Sequence, residues 1–324
     1  MQALALAQVI GVPYLMLSEL PRVLHLGDAS YRHTQRWALR FHELGWETAI
    51  LTRKGYELKN PPEGLKQYLI PRPRGGQVSY GLLSLLIPLI LRKIKREFEP
   101  DLMHVHSMLY ALISWLDSTH PKILTVWGYH HLIHSWWLKR RMERRAVHSA
   151  DVITVHSERL RSEICRVYGI PRERVLLLFW GIDLNLFRPG YETEAEKLRR
   201  ELGIEWAEVV FLSPRALTKH YNIDTIVRAF SLLNRRDSAL VVLRGTGSEE
   251  YELEIKLLAR KLGVEDRVRF LQRFLSPREM AAIFNLSDAF ISIPNTDQVA
   301  YTVLEGMACG SIPVISDLRD YDSV

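Results

Sequence analysis

A two-domain α/β chain with parallel sheets is the architecture the sequence predicts, and three observations predict it. At 324 residues the chain exceeds what one hydrophobic core usually serves, so two domains of roughly 150 residues each are expected. Short apolar runs such as "RVLHLGD", "DLMHVHS" and "SALVVLRG" read as strands buried on both faces, the pattern of a parallel sheet. Amphipathic stretches of helical length separate them, so strand, helix and strand follow one another as βαβ units.

Composition narrows the class. Hydrophobic residues at 47% and charged residues at 25% are ordinary for a globular protein and exclude a disordered one. A net charge of +6 admits anionic partners without choosing among phosphates, nucleic acid and an acidic membrane surface. Cys165 and Cys309 form no CxxC or disulfide framework, which suits a reducing compartment, and the cytoplasm is expected. The opening "MQALALAQVIGVPYLML" has no Lys or Arg before Arg22 and is interrupted by Pro13. It is also shorter than the roughly 20 apolar residues of a membrane span, so residues 1–21 are expected to be an extension.

From Arg22 the elements follow in order. "RVLHLGD" reads as a strand, "HTQRWALRFHELG" as a helix stopped at Gly45, and "WETAILT" as the next strand. Then come the helix "GLLSLLIPLILRKIKREF", the strand "DLMHVHS", a helix from Met108, the strand "KILTVWG", a basic helix over Trp136 to Val147 and the strand "DVITVHS". Polar "YETEAEKLRRELGIEWA" reads as the crossing between domains. The domains are therefore expected at residues 22–190 and 191–324.

The second series begins with "EVVFLSPRA", "NIDTIVRAFSLL" and "SALVVLRGTG", and continues through a helix to Gly263 and the strand "RVRFLQRF". In "SPRE", Ser276 at N-cap, Pro277 at N1 and Glu279 at N3 spell a capping box and a helix start. "DAFISIP", a helix carrying Glu305 and closed by Gly310, and "IPVIS" complete it.

Chemistry concentrates in "DQVAYTVLEGMACG". Asp297 follows the strand "DAFISIP", and Glu305 lies in the next helix. Ligands of open α/β sheets bind outside the carboxyl ends of the strands, so both acids are expected at a ligand site. A carboxylate accepts hydrogen bonds and donates none, so a polyhydroxylated ligand suits them; exposed surface acids are the alternative. Arg215 and Lys219 follow the strand "VVFLS" and read as a clamp on a diphosphate, or as a solvated basic loop. Gly245 in "RGTG" stands either in a phosphate loop or in a plain turn.

In the first half, "HVH" puts His104 and His106 on one face of a strand, and "HHLIH" spaces His130 and His134 as on a helix. Neither has the partners of a zinc motif, so no metal is expected. Two basic amphipathic stretches remain. In "LLSLLIPLILRKIKREF", Leu82, Leu85, Leu86, Leu89, Ile90, Ile94 and Phe98 are read as one core-facing side. "WWLKRRMERR" sets five cations beside Trp136 and Trp137, as an interfacial helix would.

Taken in order, "FWGIDLNLFRP", "SPRALTKHYNIDTIVRAF", "LRGTGSEEYELEIKLLARKLGVEDRVRFLQRF" and "DQVAYTVLEGMACGSIPVISD" resemble the nucleotide-sugar glycosyltransferases of glycosyltransferase family 4. The resemblance covers roughly residues 22 to 324 and implies the GT-B architecture, two facing Rossmann-like domains with a cleft between them. It implies that Asp297, where the family usually has Glu, binds hydroxyls of the transferred sugar and that Glu305 binds the ribose. Arg215 takes the diphosphate; the family's Lys five residues later is His220 here, with Lys219 one position early. Gly245 lies beside the donor.

On the acceptor side the resemblance points to Asp28, Ser30 and Tyr31, in the place of the family's glycine-rich loop, although the paired glycines are missing. N-capping is the other reading of Ser30. His106 matches a histidine at the same strand end. Trp127 stands where the family often has His, with His130 close by.

The implied activity is retaining transfer of a sugar from a nucleoside diphosphate sugar to a hydroxyl of a glycan, lipid-linked glycan or small molecule. It needs no cofactor, metal or nucleic acid, and allows a peripheral contact at the inner face of the membrane. The chain stops at "SDLRDYDSV", where the family continues, so a truncated protein is expected. The alternatives are a nucleotide-sugar-binding remnant without transfer and a nucleotide-sugar epimerase of the same fold.

Overall fold

The computed structural model describes residues 21–71, 76–117, 121–128, 137–179 and 181–322, without the side chains of 76–86 and 138. The expectations for residues 1–20, for Leu82, Leu85 and Leu86, and for His130, His134 and Trp136 lie outside the described residues. The chain divides between Leu178 and Phe179 into two compact units. No helix among the described residues is long and apolar enough to cross a membrane.

The first unit is built on a parallel sheet. Its strands are β1 (Arg22–Leu26), β2 (Glu47–Arg53), β3 (Lys66–Ile70), β4 (Leu102–His106), β5 (Lys122–Thr125), β6 (Val152–Val155) and β7 (Val175–Leu177), in the order β3-β2-β1-β4-β5-β6-β7. Apart from the half-buried Arg22, the central strands β1, β4 and β5 are buried along their length, which is why they do not alternate between apolar and polar residues. The edge strand β3 buries only Ile70, so "KQYLI" carries no periodicity that would reveal it.

The helices of this unit are α1 (Arg32–Glu43), α2 (Gly76–Phe98), α3 (Met108–Ser114), α4 (Trp137–His148) and α5 (Glu158–Tyr168). Along α2 the buried stripe is Ile87, Leu91, Ile94 and Phe98, at helical spacing. Leu89 was expected on that side but is 62% exposed, because two residues turn a helix by about 200°. On α4, Trp137 and Met142 are exposed among basic residues.

The second unit repeats the plan with β8 (Val209–Ser213), β9 (Ser238–Leu243), β10 (Val268–Leu271), β11 (Ala289–Ser292) and β12 (Ile312–Ile315), ordered β10-β9-β8-β11-β12 and parallel throughout. Its helices are α6 (Glu192–Glu201), α7 (Ile223–Ser231), α8 (Glu249–Lys261), α9 (Pro277–Leu286) and α10 (Tyr301–Ala308). The charged run read as a crossing is the helix α6, whose Ala195 and Leu198 join Phe187, Tyr191 and α9 in one core. The capping box at Ser276 and Glu279 is formed as expected. Gly306 lets α10 lie against β11, since a Cβ there would sit 2.5 Å from the Phe290 ring.

One polar group interrupts the first core. His25 on β1 and His104 on β4 are cross-strand neighbours, and with His106 they are almost wholly buried. His25 Nδ1 lies 3.0 Å from His106 Nε2. The His104 Nε2 atom is 2.8 Å from Thr125 Oγ1, which in turn meets Thr154 Oγ1 at 2.7 Å. Burial holds His25 down to about 3 and also lowers His104 and His106, so all three are neutral at pH 7.

A histidine whose folded pKa is depressed stabilises the fold fully above its unfolded value near 6.5, and that stability is lost as pH falls below it. Each such histidine withdraws about 1.4 kcal/mol per pH unit in that range. The thermal midpoint should therefore hold between pH 7.5 and about pH 7 and fall steadily from there to pH 5, less steeply in His25→Gln. A midpoint flat across that interval contradicts the neutral cluster.

Candidate active site

In the second unit the site is assembled from the carboxyl ends of adjacent strands. β8 pairs with β11; Arg215 lies two residues beyond β8, and Asp297 lies in the loop after β11. Arg215 Nη2 is 2.9 Å from Asp297 Oδ2, with both side chains largely buried. Nη2 also donates to the Tyr221 hydroxyl at 2.9 Å, and Nη1 to Thr302 Oγ1 at 3.4 Å. The Tyr221 ring lies under the guanidinium, 4.3 Å from its centroid. Burial works against the Arg215 charge, yet the neighbouring Asp297 carboxylate and the Tyr221 hydroxyl raise its pKa overall.

Asp297 is held from three sides. Besides Arg215, Tyr321 Oη donates to Oδ2 at 3.0 Å, and the Gln298 backbone N–H donates to Oδ1 at 2.9 Å. Tyr321 ends a short 3-10 turn after β12 and is buried. Burial first, and then the Asp297 charge, raises its hydroxyl pKa, so it remains a donor at neutral pH.

Glu305 lies on α10 and is buried. The Cys309 thiol is pushed up to about 11 by burial and then by the Glu305 charge. The two acids singled out in the sequence are thus both withdrawn from bulk water on one segment.

Other donor-side candidates fall differently. Lys219 is exposed and pairs with Glu254 of α8 at 3.4 Å, away from the contacts that Arg215 and Asp297 make. His220 packs edge-on against Tyr221 at 4.8 Å. Gly245 occupies a left-handed turn at φ +54, and a Cβ on Gly247 would meet the Leu217 carbonyl at 2.4 Å. The "RGTG" loop therefore packs against the segment that follows Arg215. Tyr221, Thr302 and Tyr321 carried no sequence signal, because none belongs to a spaced pair of charges.

In the first unit, Asp28 is buried and committed to Arg53, which donates Nε to Oδ1 at 2.9 Å and Nη2 to Oδ2 at 2.6 Å. Tyr110 Oη donates to Oδ1 at 2.7 Å. Ser30 donates its backbone N–H to the Tyr56 carbonyl at 2.8 Å. The N-cap of α1 is Tyr31, without a side-chain cap bond, so Ser30 does not cap. Tyr31 is exposed and stands edge-on to Tyr56.

His106 closes β4, and Ser107 after it takes φ 88, a conformation costly for a residue with a side chain. The Trp127 ring stacks with His33 at 4.5 Å, His156 at 5.1 Å and His106 at 5.8 Å. The tryptophan that replaces the expected histidine is thus part of an aromatic stack.

His25, His104 and His106 are the group among the described residues that could meet a cation, their ring nitrogens all lying within 4.8 Å of one another. Nitrogens sharing one zinc lie about 3.3 Å apart with converging lone pairs. Here the closest pair is arranged as a hydrogen bond, so taking an ion requires the rings to turn.

The family model Glycosyltransferase Family 4 matches residues 31–186, and that of the Glycosyl transferases group 1 matches residues 194–323. The chain is 27% identical over 238 residues to a D-inositol 3-phosphate glycosyltransferase of Corynebacterium aurimucosum, covering 68% of this chain and 56% of that protein. It is 28% identical over 246 residues to an alpha-monoglucosyldiacylglycerol synthase of Streptococcus pneumoniae, covering 71% and 54%. The aligned parts thus span about half the length of these relatives. Among solved structures, HepE of Anabaena in complex with UDP and glucose matches with a TM-score of 0.70 at 16% identity, over 93% of this chain and 82% of that one. This likeness shows the fold, two parallel-sheet α/β domains. The chain belongs to glycosyltransferase family 4, with a group 1 glycosyl transferase domain in its second half.

Proposed function

We propose that the protein transfers a sugar from a nucleoside diphosphate sugar to a hydroxyl acceptor with retention of configuration. The observation that carries this reading is the Arg215–Asp297 pair at the carboxyl ends of neighbouring strands β8 and β11, with buried Glu305 eight residues along. A cation and two acceptors so placed suit a ligand that is anionic at one end and hydroxylated at the other.

Arg215 has five N–H donors; two are hydrogen-bonded to Tyr221 and Thr302 and Nη2 also forms the ion pair with Asp297, so donors remain for diphosphate oxygens. In a site largely closed to water, a fixed guanidinium stabilises charge developing on a leaving diphosphate. Asp297 accepts from sugar hydroxyls and Glu305 from the ribose. No carboxylate is assigned as nucleophile; a diphosphate oxygen takes the acceptor proton on the face the leaving group vacates. HepE was solved with UDP and glucose, which supports a nucleotide-sugar donor. The names of the two curated relatives point to an inositol phosphate or a diacylglycerol acceptor.

Exposed Trp137 and Met142 on the basic helix α4 support a peripheral contact with an anionic membrane. Co-sedimentation with phosphatidylglycerol vesicles should occur at low salt and weaken as salt rises, since the attraction is screened; recovery in the supernatant at low salt refutes the contact.

The donor reading is tested by thermal shift with UDP-, GDP- and ADP-sugars. A native-state ligand at 100 times its dissociation constant adds about 2.7 kcal/mol of stability, so one base should raise the midpoint by several degrees, and Arg215→Ala and Glu305→Ala should abolish the rise. Equal shifts in the wild type and both variants sink the assignment. A shift without sugar release or transfer identifies a binding protein instead.

A further inference from the structure

Asp297 belongs to a loop with no strand ladder to fix it, so its carboxylate stands where its partners hold it. Those partners differ in kind. The Gln298 N–H is local, Arg215 is the cation that the proposed donor's diphosphate would draw upon, and Tyr321 comes from the separate turn after β12. Were Arg215 the only side chain on Oδ2, a diphosphate that pulled the guanidinium would also release the carboxylate. Tyr321 is packed into the second core and donates at 3.0 Å, so it keeps Oδ2 in place while Arg215 moves.

We propose that Tyr321 is the positioning residue for Asp297, and through it sets how strongly the site discriminates among the hydroxyls of the donor sugar; this rests on the donor reading above. A carboxylate offers about four lone-pair directions, and three are taken here. The remaining direction is fixed in space, which is what selecting one hydroxyl over its neighbours requires. A carboxylate free to rotate accepts from several hydroxyls and distinguishes them poorly.

The test is calorimetric titration of the full chain with UDP, UDP-glucose and the 3-deoxy and 4-deoxy analogues of UDP-glucose, in the wild type, Tyr321→Phe, Asp297→Asn and the double variant, all checked for a cooperative melt. Losing a hydrogen bond to a charged group costs on the order of tenfold in affinity. In the wild type one deoxy analogue should therefore bind about tenfold more weakly than UDP-glucose. In Tyr321→Phe that penalty should shrink to about twofold while UDP alone binds as before, and adding Tyr321→Phe to Asp297→Asn should change nothing further.

A deoxy penalty that Tyr321→Phe leaves intact, or an equal weakening of UDP and UDP-glucose, overturns the positioning role and leaves the donor reading standing. If the wild type binds neither UDP nor UDP-glucose and the other bases also fail, the donor reading falls and takes this inference with it. Should Tyr321→Phe not melt cooperatively, p-fluorophenylalanine in place of Tyr321 fills the same space without a donor and must shrink the penalty in the same way; a penalty retained there overturns the proposal.

Discussion

The Arg215–Asp297 ion pair is the interaction on which the second domain's site depends. Two charges drawn largely out of water hold together only with additional partners, and removing one partner of a buried pair typically costs about 3–5 kcal/mol. The chain supplies those partners from separate places: Tyr221 from the turn after Arg215, Thr302 from α10, and Tyr321 from the turn after β12. Loops that have no ladder of their own are tied together by this network. The parallel order β8-β11-β12 makes it feasible, because parallel strands bring their carboxyl ends to the same edge.

The first domain uses buried polarity differently. Its Asp28 forms a two-point ion pair with Arg53 and receives the Tyr110 hydroxyl, which ties the loop after β1 to β2 and α3. The carboxylate expected to meet an acceptor also braces its own loop. In the same domain the neutral His25 and His106 hydrogen-bond to each other, while His104 meets Thr125 of β5, which meets Thr154 of β6. Neutral imidazoles suit that interior because they hydrogen-bond without the cost of a buried charge.

Much of the fold was legible in the sequence because parallel strands buried on both faces read as apolar runs, and the capping residues around Ser276 spell a helix start. β3 was not legible, since an edge strand with one buried residue has no period. Nor was α6, whose charged surface conceals a narrow stripe of Ala195 and Leu198. Of the candidate site, Arg215, Asp297 and Glu305 were legible because charges beside strand ends stand out from their neighbours. Lys219 stood out equally and turned to Glu254, since position along a loop does not fix the direction of a long side chain. Tyr221 and Tyr321 were hidden because their value lies in hydroxyl directions that exist only after folding.

The most direct test of this donor site is a crystal structure of the protein soaked with UDP-glucose, or with the sugar nucleotide of the base that thermal shift selects. Diphosphate oxygens should lie within hydrogen-bond distance of Arg215, a sugar hydroxyl on Asp297 and the ribose at Glu305, with Tyr321 still on Asp297. A nucleotide bound elsewhere, with the Arg215–Asp297 pair untouched, would contradict it.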